Sequence, residues 1–193
     1  MSSRSKRTLF LIEVAIFTAL ALVLDMIPFL KFKIWAQGGS ISFAMIPVFI
    51  VAFRWGLKGG LLTGFLYGVL QIPLGGAYIL TPLQAFIEYG LAFTALGLAG
   101  VFSEKIQRAV KEEKTTTYFT YIMSGVLLGS GLRLLGHVIA GTVFFSEFAP
   151  EGQPAWLYSL IYNSSYMVPS FILCTIVIFF LFHKQPKTLL SNP

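Results

Sequence analysis

The sequence predicts an all-α membrane protein of six transmembrane helices with both termini in the cytoplasm. Three observations carry that expectation. The chain is 56% hydrophobic and only 11% charged, with mean hydropathy +0.78, whereas a soluble domain carries roughly 25% charged residues. Six apolar stretches recur along it, at residues 8–30, 40–53, 59–72, 83–102, 118–145 and 157–182. Basic residues also alternate between connections. Arg4, Lys6, Arg7, Arg54, Lys58, Lys105, Arg108, Lys111, Lys114, Lys184 and Lys187 fall in the N-terminus, in alternate loops and in the tail, while the opposite loops hold only Lys31 and Lys33. The excess of Lys and Arg marks the cytoplasmic side. The net charge of +6 therefore reads as basic cytoplasmic loops rather than as a nucleic-acid surface.

The 193 residues suit one integral membrane domain, 1–193, with no appended soluble enzyme. The opening "SSRSKR" before an apolar run imitates a signal peptide. The run is long, contains Glu13 and Asp25, and lacks an A-x-A-like cleavage site, so it reads as a retained first helix. The second and third stretches are short for a bilayer that needs about 20 residues; they are expected to tilt, to extend into their flanks, or to include a re-entrant piece. "SEKIQRAVKEEKTTT" reads as a solvated cytoplasmic linker, while "PLGGAYILTP" and "SEFAPEGQPAW" read as outward turns set by Gly and Pro. The single cysteine, Cys174, excludes an internal disulfide and a cysteine-based metal cluster, and reads as a small core residue.

Polar residues inside the apolar stretches are the functional signal. "GLRLLGHVIAG" places Arg133, His137 and Gly141 on one helical face, at spacings of four. A central Arg costs about 2.5–3.5 kcal/mol on insertion scales, so these groups require partners. With the orientation above and a rise of ~1.5 Å per residue, His137 lies ~12 Å, Glu88 ~7.5 Å and Asn163 ~9 Å below the outer ends of their helices. Facing lipid would leave Glu88 and Asn163 unsatisfied, so an interior cluster is expected. Trp35, Tyr78, Tyr89, Phe144, Phe145, Tyr158, Tyr162 and Tyr166 surround the same level. Tyr78 and Tyr158 read equally as interface anchors and as pocket walls. A carboxylate, an imidazole, an amide and aromatic faces suit a small, flat, cationic ligand, each ring adding roughly 0.5–2 kcal/mol. Arg133 is open between a structural role and a ligand contact.

In "GGAYILTPLQAFIEYGLAFTALGLAG", "RLLGHVIAGTVFFSEFAP" and "WLYSLIYNSSYMVPSFI", the chain resembles the thiamine-specific S-component of energy-coupling factor vitamin transporters. The likeness extends through "IEVAIFTALALVLD" and "GGSISFAMIPVFIVAFRWGLKGGL" and spans nearly the whole chain. The resemblance implies a six-helix protein of a prokaryotic cell membrane with an outward-opening thiamine pocket. It implies pocket roles for Glu88 and Tyr89 in "IEYG", His137, Arg133 one turn before it, Tyr158 and Asn163, Tyr78 in "AYIL", and Trp35 in a lid loop. Phe145 stands where some members carry a stacking Trp, and Arg133 stands where some carry Lys. It further implies a membrane coupling protein and two ATP-binding subunits as partners. Consistent with that division, no G-x-x-x-x-G-K-[ST] loop is present, and no cofactor is expected in this chain. Ala15 and Ala19, a small-xxx-small pair, would let a partner helix approach the first helix closely.

Other classes fit less well. Ser130 and His137 are seven apart and could share a face, yet no G-x-S-x-G motif supports a serine enzyme, and no H-E-x-x-H supports a metalloenzyme. Neutral riboflavin would gain no charge advantage from Glu88, and anionic biotin would be repelled. A secondary transporter working without an ATPase is the remaining alternative.

Overall fold

Residues 3–35 and 38–190 are described by a computed structural model of the chain. Helix α1 (Ser3–Met26) buries a single stripe, Val14, Thr18, Ala21 and Leu22, at the i, i+4, i+7, i+8 spacing of one helical face. Its other faces expose Leu11, Ile12, Ile16, Leu20 and Val23, as a helix bordered by hydrocarbon does. A 3-10 turn at Pro28–Leu30 leads into β1 (Lys31–Trp35), which pairs antiparallel with β2 (Gly38–Ser42). This hairpin is a departure from the expected all-α fold. It also delays the second apolar helix, which begins at Met45 and not at Ser40.

Four long helices follow: α2 (Met45–Leu74), α3 (Pro82–Lys111), α4 (Thr115–Phe144) and α5 (Ala155–Lys184), before the short α6 (Pro186–Leu189). With α1, five helices among the described residues are long and apolar enough to cross a membrane. The second expected stretch, from Met45 onward, and the whole of the third lie in α2, which breaks at Gly56 (φ 72°, ψ −163°). This left-handed conformation is open to glycine and strained for other residues. A Cβ on Gly60 would lie 2.7 Å from the Ala52 side chain. Eight residues of straight helix span about 12 Å, so the chain doubles back at Gly56.

The returning half of α2 presents Gly56, Gly60, Gly64 and Gly68, four residues apart, to α3. A Cβ on Gly60 would meet the Gly97 carbonyl at 2.6 Å, and one on Gly64 the Phe93 carbonyl at 2.5 Å. Missing side chains thus let two backbones touch, the packing mode favoured where lipid offers no hydrophobic drive. Helix α3 is regular only in part. It is π-helical over Phe86–Leu91 and 3-10 over Leu96–Phe102, then α-helical again over Ser103–Lys111. That last segment corrects the expected solvated linker: Ser103, Ile106, Ala109 and Val110 are buried, and Ser103 Oγ and Gln107 Nε2 donate to the Phe53 carbonyl at 2.7 and 3.0 Å. These bonds satisfy the carbonyl left open by the break at Gly56. The core is built from Phe49, Phe53, Leu96, Ile122, Val126, Ile178 and Phe182, drawn from α2 to α5.

Candidate functional site

A cavity of about 560 Å³ opens at the hairpin end of the helices, within the ~300–1,000 Å³ range of small-ligand sites. It is walled by the end of α1, by α2, α3, α4 and α5, by the hairpin and by the 75–78 and 145–148 loops. Glu88 and Tyr89 enter it from the π-helical turn, a distortion that often accompanies functional sites. Gly68 allows that turn to sit close, since any Cβ there would collide with the Tyr89 carbonyl.

Glu88 is held from two sides. Its Oε2 accepts a hydrogen bond from Gln84 Nε2, and its Oε1 lies 3.5 Å from His137 Nδ1. Arg133 Nε donates to His137 Nε2 at 3.2 Å. Because a guanidinium only donates, that ring nitrogen accepts, and the proton of the neutral imidazole sits on Nδ1, facing Glu88. The Arg133 guanidinium also lies 4.1 Å from the centre of the Phe93 ring. Arg133 thus joins His137 to the face of Phe93 while it also lines the cavity. In this relay each of the three polar groups has a polar partner among the others.

Asn163 is fixed across the cavity. Its Nδ2 donates to the Ser159 carbonyl at 2.8 Å, and its Oδ1 accepts from Tyr166 Oη. Gly141 lies against Ser159, so that α4 and α5 approach closely there. Ring contacts continue along α5: Tyr158 to Tyr162 at 6.1 Å and Tyr162 to Tyr166 at 5.9 Å. At the mouth, Tyr78 packs on Phe145 at 6.2 Å.

Nine sequence-predicted residues line this one cavity: Glu88, His137, Tyr158, Asn163, Tyr89, Tyr78, Arg133, Phe145 and Gly141. Trp35 does not. Its ring packs at a tilt on the wall residue Tyr162, centroids 5.6 Å apart, and its Nε1 donates to Ser165 Oγ at 2.8 Å, fastening the hairpin to α5. Ser130 Oγ is buried with no hydrogen-bond partner, so it has no imidazole base. Ala15 and Ala19 are exposed on α1.

Sequence reasoning missed several residues. Gln84, fully buried, binds Glu88, the Tyr78 carbonyl and the Leu80 amide, tying the loop to the carboxylate. Its spacing of four from Glu88 was the available signal. A second polar group was also missed: Asp25 Oδ2 accepts from Gln71 Nε2 at 2.9 Å and from Lys31 Nζ at 3.1 Å, and all three line the cavity. Asp25 is 46 residues from Gln71, so no local spacing joins them.

Residues 11–190 match the family model described as "Thiamine transporter protein". This chain belongs to the thiamine transporter family. It is 45% identical to the thiamine transporter ThiT of Bacillus subtilis over 190 residues, 98% of each chain. It is 32% identical to ThiT of Lacticaseibacillus paracasei, over 97% of this chain and 93% of that one. The solved structure of ThiT from Listeria monocytogenes superposes with TM-score 0.89 at 33% identity, covering 96% of this chain and all of that one. Like these thiamine transporters from bacteria, the chain is a multi-pass membrane protein with several apolar helices. Its relatives are transporters by name, not enzymes.

Proposed function

We propose that this chain captures thiamine in the cavity described above and serves as the substrate-binding membrane subunit of an ATP-driven importer. The observation that carries the reading is the Glu88–His137–Arg133 relay facing an aromatic-walled cavity. In it, Glu88 keeps one carboxylate edge toward His137 and supplies negative charge to the cationic thiazolium. Tyr158, Tyr162, Tyr89 and Phe145 offer faces to the flat rings. Asn163 and His137 stand where an aminopyrimidine can be read by donors and acceptors. The wall is fixed before the ligand arrives, because Gln84, Arg133, Ser159 and Tyr166 hold these groups, and preorganisation lowers the cost of binding.

Six membrane crossings with cytoplasmic termini complete the reading. The reversal at Gly56 supports counting α2 as two crossings, and the alternation of basic loops supports the orientation. The cavity then opens to the cell exterior. Transport would need a membrane coupling protein and two ATP-binding subunits, since the sequence contains no G-x-x-x-x-G-K-[ST] phosphate-binding loop. Ala15 and Ala19, exposed on the helix with the least buried apolar window, supply the surface for the coupling protein. The test is native mass spectrometry of the purified chain. Retention of a ligand with the mass of thiamine, lost on exhaustive dialysis and regained with added thiamine, is expected. Specific retention of another vitamin would overturn the reading.

A further inference from the structure

The hairpin that walls the cavity has a second face. Alternate residues of a strand share a side, and Lys31 and Lys33 of β1 line the cavity with Ser42 and Ser40 opposite them. Phe32 and Ile34 take the other side, where they are 61% and 45% exposed. Phe29, in the turn before the strand, is 76% exposed. Opposite Phe32, Ile41 is half-buried against the core, so the bare apolar surface belongs to β1 and its turn. A strand with one face in water turns its polar residues outward and its apolar ones inward. Here the order is reversed.

Exposed apolar residues also run along one side of α1: Ile12, Ile16, Leu20 and Val23, at the i, i+4, i+8, i+11 spacing of a single face. They continue past the helix end through Met26 to Phe29, Phe32 and Ile34, so the bare face of the hairpin prolongs the face that α1 turns to lipid. The stretch from Thr8 to Met26, beyond the basic residues Arg4, Lys6 and Arg7, is about 28 Å long at ~1.5 Å per residue. A hydrocarbon core is about 30 Å thick, so α1 ends where acyl chains give way to headgroups. The sheet sets the same depth independently. It has two strands, so alternate residues of β1 point their N–H and C=O groups away from β2. Unpaired backbone groups of that kind are not tolerated against hydrocarbon. An interface serves both needs: the apolar side chains reach acyl chains while the strand edge meets headgroups and water. We propose that the outward face of the hairpin, Phe29, Phe32 and Ile34, rests in the headgroup–acyl boundary of the bilayer, making the hairpin a wall shared by cavity and lipid. Phospholipid is the partner of this face, and the cavity wall is held in part from outside the protein. The proposal stands whichever ligand the cavity takes.

The experiment uses the full chain in phosphatidylcholine vesicles. Cys174 is fully buried and stays in place, its inertness checked on the unmodified chain. Phe32→Cys and, separately, Ile34→Cys carry an environment-sensitive fluorophore. Ile16→Cys on α1 marks lipid, and Glu151→Cys, in an exposed turn, marks water. Apolar faces resting at an interface lie about 5–10 Å into the headgroup–acyl boundary. A nitroxide near the headgroup end of the acyl chain should therefore quench both hairpin positions about threefold more than Glu151. Iodide in the water should quench them less than Glu151. Iodide quenching as strong as at Glu151 would overturn the proposal. Strongest quenching by a nitroxide at the methyl end of the acyl chain would also overturn it, since the strand edge would then lie in hydrocarbon. Protection from both quenchers would overturn it in favour of a protein partner, a second copy if dilution to one chain per vesicle relieves the protection. The unmodified chain gives a check free of substitution. A phospholipid with a photoactivatable group beside its headgroup should attach to the peptide holding residues 29–34, and attachment to α1 with none on that peptide would overturn the proposal.

Discussion

Replacing Glu88 with Gln keeps the side chain's shape and its bond from Gln84 but removes the negative charge. A bound thiazolium would then be left without a counterion in a partly dry cavity. Losing a desolvated charged partner costs about 2–5 kcal/mol, roughly 30-fold to several thousand-fold in affinity. That loss is expected for Glu88→Gln in equilibrium titrations, with smaller losses for Asn163→Ala and Tyr158→Phe; an unchanged Kd would remove Glu88 from the site. Arg133→Met tests the relay differently. It leaves His137 Nε2 without its donor, so the ring can change tautomer and turn its proton away from Glu88. Weaker thiamine binding with the fold preserved is the expected result, and an unaltered affinity would contradict the orienting role. Glu88, His137 and Asn163 were legible as a cluster because intramembrane polar groups must find partners. Gln84 and Asp25 were not, although both are polar. Gln84 precedes Glu88 by one turn and reads locally as a loop-end residue, and Asp25 finds Gln71 only through the packing of α1 on α2.

The helices show where pattern reading succeeds and where it stops. Apolar length located α1, α4 and α5 to within a few residues at most ends, because a lipid-crossing helix announces itself by composition. Alternation in "KFKIW" is short and inverted, with the lysines turned to the cavity and the apolar residues outward, so β1 did not read as a strand. The helix after Phe102 was hidden by its charge, although Ile106, Ala109 and Val110 form an apolar stripe. The glycines at 56, 60, 64 and 68 have small-xxx-small spacing that was not read from the sequence, and their partner is α3. Overpacking costs typically about 1–3 kcal/mol. Gly64→Leu should therefore lower the thermal midpoint in detergent by pushing α3 away at Phe93, and an unchanged midpoint would contradict backbone contact there. At the hairpin, Trp35→Phe keeps the ring but loses the bond to Ser165, worth about 0.5–1.5 kcal/mol. Thiamine should bind a few-fold to tenfold more weakly, and no change would mean that the hairpin is held without that bond.

At the scale of the whole molecule, the proposed capture site and the proposed docking surface occupy different places. The cavity lies at the hairpin end, between α2 and α5, whereas Ala15 and Ala19 lie on the exposed side of α1. Toward the end away from the hairpin, α1 is anchored through Glu13, whose carboxylate accepts from Arg54 Nε and Trp55 Nε1, each at 2.6 Å. Replacing both alanines with Trp should leave thiamine affinity near normal and abolish ATP-dependent uptake in vesicles carrying the complete transporter. Full uptake would show that docking uses another face. The claim beneath all of this is that the cavity is a thiamine site. Calorimetric titration of the purified, ligand-free chain tests it most directly: thiamine should bind tightly with one-to-one stoichiometry, and riboflavin and biotin should give no heat. Absence of heat with thiamine, alongside clear binding of either other vitamin, would contradict it.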